Sequence, residues 1–98
     1  MNMQSLMMQA KKMQKDMEKA QKELEEKEYI GKSQLVTVVM SGSNKLLSVK
    51  FELEEINSDD KELLEDMVVV AINDAIGKME KDKSEKFGKY GQMFNGLM

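Results

Sequence analysis

From Met3 to Leu24 the apolar residues fall at Met3, Leu6, Ala10, Met13, Met17, Ala20 and Leu24, spaced alternately three and four apart. That is an a/d seam held over three heptads, and it predicts an amphipathic helix. Gln, Lys, Glu, Met and Ala all favour a helix, and no Gly or Pro interrupts them. The helix should span about residues 3–28. At roughly 1.5 Å per residue it is about 39 Å long, more than a small core needs, so it should project. A seam of Met and Ala is softer than one of Ile and Leu.

After Glu28 the period changes to that of a sheet. Tyr29-Ile30-Gly31-Lys32 reads as a short strand, and Leu35 to Ser41 as a second with Val36, Val38 and Met40 on one face. Gly42-Ser43-Asn44-Lys45 is turn material. From about residue 46 to 53, Leu47, Val49, Phe51 and Leu53 alternate with Ser48, Lys50 and Glu52, the pattern of a half-buried antiparallel strand. Asn57-Ser58-Asp59-Asp60 then supplies an N-cap with acids in the first turn, where the helix dipole favours them. A second long helix should run over about 59–86. Its centre, Met67 to Ile72, is apolar on every side and must be covered all round. One three-stranded sheet covers one side, so a second copy of the chain is the simplest cover for the other. Residues 87–98 hold three glycines and are expected to form a mobile tail. The fold class expected is α+β: long helix, small three-stranded antiparallel sheet, long helix, in a single domain over 1–98.

Composition narrows the chemistry. In 98 residues there is no His, Cys, Trp, Pro or Arg. Without His or Cys there is no imidazole base, thiol nucleophile, disulfide or ordinary zinc site. No stretch approaches the roughly 20 apolar residues of a membrane span, and the N-terminus has no uninterrupted apolar segment of the secretory kind. The expectation is a soluble intracellular protein that is not an enzyme. The net charge of −3 hides an asymmetry. Residues 1–22 carry five Lys against two acids, residues 23–66 five Lys against twelve, and residues 67–98 five Lys against four.

Four groups of residues merit a chemical reading. Lys11, Lys12, Lys15, Lys19 and Lys22 share the helix face opposite the Met/Ala seam, as a phosphate-tracking edge or a solvated face would. Glu18 and Lys22, four apart, form an ordinary helix pair. Lys78, Lys81, Lys83, Lys86 and Lys89 mark the last helix, where its dipole favours cations regardless of function. The acids at Glu52, Glu54, Glu55, Asp59, Asp60 and Glu62 lack the spacing of a calcium loop, and capping and solvation explain them. Eleven methionines suit packing between helices. Met1, Met3, Met7 and Met8 would also suit a membrane interface, but the Trp and dense basic charge of such anchors are missing.

In this order the elements resemble the YbaB/EbfC family of small bacterial nucleoid-associated proteins. The stretches that carry the resemblance are Met8-Gln-Ala-Lys-Lys-Met-Gln-Lys-Asp-Met17, Leu35-Val-Thr-Val-Val-Met-Ser-Gly42, and Asp60-Lys-Glu-Leu-Leu-Glu-Asp66 continuing to Ala71-Ile-Asn-Asp-Ala75. The resemblance implies a homodimer with a central body and helical arms projecting like tweezers. It implies double-stranded DNA as partner, a place on the cytoplasmic nucleoid, and effects on DNA conformation and gene expression. No catalytic residues, cofactors, metal or small-molecule substrate come with it. The chain departs from the family in lacking a Gly-rich lead, a Pro after the last strand, and any Arg. Arg is the bidentate reader of guanine, whereas Lys meets phosphate as a point charge, so binding with little sequence preference is expected.

The DNA-contacting residues expected are Lys11, Lys12, Lys15, Lys19 and Lys22 with Lys78, Lys81, Lys83 and Lys86. The dimer interface expected is Met67, Val69, Val70 and Ile72. The alternative is a dimeric adaptor or chaperone-like protein that takes partner helices into its Met/Ala seam.

Overall fold

The structure, a computed structural model, describes the backbone of residues 2–97 and the side-chain surroundings of residues 2–88. Helix α1 (Met3–Glu26) is followed by strands β1 (Glu28–Lys32), β2 (Val36–Ser41) and β3 (Leu46–Phe51). A single 3-10 turn, Ser58–Asp60, leads into helix α2 (Lys61–Leu97). The α+β order read from the sequence is the order observed.

Helix α1 starts where Asn2 Oδ1 accepts the backbone N–H of Gln4 at 3.1 Å, relieving one of the unpaired donors of the first turn. It stops two residues short of the expected end, because Lys27 turns extended (φ −76°, ψ 144°) to enter β1. The start of α2 is held by the Asp60 carboxylate, which accepts the Asn57 N–H at 3.1 Å. Its other end differs from expectation. Helical backbone continues past Lys86 to Leu97, through the segment expected to be a tail. A glycine costs a helix only about 1 kcal/mol, and the helix-forming residues between them outweigh it.

The sheet is antiparallel in the order β1-β2-β3. Tyr29 and Gly31 of β1 and Val36, Val38 and Met40 of β2 face α2, which returns Leu64, Met67, Ala71, Ala75 and Met79, one residue per turn. Contact is closest at Gly31. A β-carbon there would overlap the carbonyl oxygen of Ala71 and crowd Ala75, so a bare glycine against two alanines sets the distance from strand to helix. Gly42 plays the same part for α1, since a β-carbon there would overlap the carbonyl of Leu24. Leu24 is the one fully buried residue of α1, and it anchors an arm in a molecule 70 Å long.

Strand β3 buries its apolar face less completely than β2 does. Leu47 is 51% exposed, Val49 38% and Phe51 39%. Helix α2 packs on β1 and β2, and β3 lies beyond its width. The hairpin from β2 turns through Asn44 at φ 67°, a left-handed conformation that Asn tolerates, and the register shifts beside Val39/Met40.

Candidate nucleic-acid interface

Lys11, Lys12, Lys15, Lys19 and Lys22 are all exposed on one face of α1. None of them forms an ion pair with a described residue. The expected Glu18–Lys22 pair is not made. Glu18 instead accepts from Gln14 Nε2 at 3.4 Å, and Glu25 from Gln21 Nε2 at 3.3 Å, so glutamines engage both acids and leave the lysines unneutralised. On the opposite side Met13, Met17 and Ala20 are half-buried, and Ala10, Met13 and Met17 border a groove closed by Phe87 of α2. The Met/Ala seam is therefore partly occupied by the chain's own second helix.

The lysines of α2 stand differently. Lys78 Nζ donates to the carbonyl oxygen of Ile30 at 2.8 Å and lies 3.3 Å from Asp74. Lys86 lies 4.0 Å from Glu23 of α1. Lys83 is half-buried beside the hairpin turn at Gly42 and Asn44, whereas Lys81 is exposed. Two of the four expected on this helix thus hold elements together. Of the interface residues expected, Met67 is buried in the core of its own chain and Ile72 is half-buried beside it, while Val69 (57% exposed) and Val70 (55%) face outward.

The polar groups that fix the base of α1 were not singled out in the sequence. Asp82 of α2 accepts from Lys27 Nζ at 2.8 Å and from the Tyr29 hydroxyl at 2.6 Å, with the Lys27 ammonium 5.4 Å from the Tyr29 ring centre. The Lys27 and Tyr29 donors hold the Asp82 carboxyl below the usual aspartate range. Burial, then the hydrogen bond to Asp82, pushes the Tyr29 hydroxyl up to about 12. Two turns earlier, Asp74 accepts the backbone N–H of Lys32 at 3.0 Å, which with the Lys78 ammonium lowers its pKa. The Asp74–Lys78 pair therefore caps a donor and an acceptor on β1, an edge strand.

No group of three potential metal ligands converges among the described residues, and the acids around Glu52 and Asp59 are no exception. Among the same residues no helix is long and apolar enough to cross a membrane.

A small sheet buttressed by one long helix, with a second helix carrying an unneutralised basic face, defines a class of arm-bearing α+β proteins suited to a polyanion. Residues 1–94 match the YbaB/EbfC DNA-binding family, and the chain belongs to it. It is 42% identical over 98 residues to a nucleoid-associated protein of Enterococcus faecalis, covering 98% of this chain and 94% of that one. It is 45% identical over 92 residues to a nucleoid-associated protein of Lactococcus lactis subsp. cremoris, covering 92% and 93%. The fold is shared with the crystal structure of an uncharacterized protein from Helicobacter pylori at a TM-score of 0.65 and 20% identity, over 100% of this chain and 99% of that one.

Proposed function

We propose that this chain is a nucleoid-associated protein that holds double-stranded DNA along the lysine face of α1, as a homodimer. The observation that carries the reading is the state of the charges. The five α1 lysines are exposed and without ion-pair partners among the described residues, in a chain whose net charge is −3. Lys meets phosphate as a point charge and reads little sequence, so affinity comes mainly from released counterions. The family and its nucleoid-associated relatives support DNA as the partner and the nucleoid as the place; they lend nothing to the helix-adaptor reading. No catalytic step, cofactor or small-molecule substrate belongs to this function.

The test is a titration of duplex DNA over a range of salt. Each neutralised phosphate adds about −0.9 to the slope of log K against log salt, so three or four contacts per arm in a dimer give roughly −5 to −7. Changing Lys12 and Lys19 together to Gln removes four charges per dimer and should flatten the slope by up to about 3.6, with circular dichroism unchanged. An unaltered slope in the double variant would mean that this face is only solvated.

A further inference from the structure

We infer that Met8, flanked by Met7, is an apolar wedge at the tip of the basic face of α1 that enters the base stack of bound duplex DNA. The inference rests on the DNA reading above and goes beyond it, because phosphate tracking leaves the helical stack undisturbed. Surface methionines scattered singly are ordinary. Met8 differs in its place. It precedes Lys12 by four residues and Lys15 by seven, so it lies in line with the lysines and not on the seam of Met3, Leu6 and Ala10. A helix packed along that seam would leave it uncovered. Met8 is 71% exposed and Met7 59%. The first acid of the chain is Asp16, so the helix carries only Lys11, Lys12 and Lys15 as side-chain charges up to that point. An apolar tip continuous with unopposed cations matches a ligand whose anionic backbone borders an apolar stack, and that ligand is a nucleic acid. Proteins that unstack base steps from the minor groove insert apolar wedges, Met among them, and kink the duplex by about 20–90°. With the lysines anchored on phosphates, Met8 is the side chain one turn further along the same face.

The experiment compares wild type, Met8→Gln and Met8→Leu on a duplex carrying 2-aminopurine at several steps and a fluorophore at each end. Wild type should raise the 2-aminopurine emission and bring the ends closer. Met8→Gln should lose both effects, bind several-fold more weakly and keep the salt slope, since its lysines are intact. Met8→Leu should behave as wild type, and circular dichroism should match for all three. Unstacking and bending retained in Met8→Gln, or absent in a wild type that binds with the expected slope, would overturn the wedge alone. A wild type with no salt-dependent binding to duplex would overturn the DNA reading and the wedge with it. Cosedimentation with phosphatidylglycerol vesicles that Met8→Gln abolishes, without change on DNA, would reassign the tip to a lipid surface and overturn the inference.

Discussion

Asp82 joins three elements through one carboxylate, with Lys27 at the exit of α1, Tyr29 on β1 and its own place on α2. Because folding lowers its pKa, its stabilisation is complete above the ordinary aspartate range and is lost as pH falls through the depressed value; Asp74 acts in the same sense. Tyr29 has the opposite sign: its contribution is complete below the ordinary tyrosine value near 10 and is lost as pH rises towards about 12. Urea unfolding should therefore show Asp82→Asn less stable than wild type at neutral pH, with the gap closing between about pH 5 and pH 2. A gap that stays constant over that range would remove the carboxylate from the account. Gly31→Ala should cost about 1–3 kcal/mol by the same measurement, since the new carbon meets the Ala71 carbonyl, which is backbone and cannot step aside. None of this was legible in the sequence. Asp82 and Tyr29 are 53 positions apart, and a carboxylate reads the same on paper whether it meets water or a tyrosine.

At the scale of elements, what periodicity encodes was legible and what neighbours decide was not. The seam of α1, the alternation of β2 and the cap at Asn57 are local patterns, and each produced its element. Strand β3 alternates much as β2 does, yet its apolar side is only partly covered, because alternation announces a face without saying what reaches it. The lysines follow the same rule. Both helices carry a basic series, but α1 presents its lysines to solvent while α2 commits Lys78 to β1 and Lys86 to α1. Lys78→Gln should thus lower stability, having lost a cation bonded to the Ile30 carbonyl and Asp74, and leave the salt slope for duplex DNA unchanged. Lys12/Lys19→Gln should do the reverse. A Lys78→Gln variant that folds as wild type and flattens the slope by about 2, one contact from each of two chains, would move the interface to α2.

For the whole molecule the decisive feature is the apolar surface a single chain leaves in water. Leu47, Val49 and Phe51 on β3, and Leu63, Val69 and Val70 on α2, are each 38–57% exposed. Apolar side chains left in water on both a strand and a helix of one small protein are the ones a partner would cover. The all-round apolar run at the centre of α2 announced the need for a cover, and the structure shows which part of it the sheet supplies: Met67 and Ala71 are buried, Val69 and Val70 are not. The homodimer proposed above would cover it: a second copy would bring matching surfaces and a second basic arm, and in a two-fold pair the same residues would serve both chains. Val70→Asp separates this assembly from the fold. Val70 is half in solvent within its own chain, so the aspartate is accommodated in the monomer, but in a covered interface it would be an unpaired buried charge. Sedimentation equilibrium at micromolar concentration should give twice the 11.2 kDa chain mass for wild type and the chain mass for the variant, with helical circular dichroism retained. The variant should also bind duplex DNA with about half the wild-type salt slope, since one arm remains where two acted together. A wild type that sediments as a single 11.2 kDa chain would refute the dimer and leave each arm to bind alone.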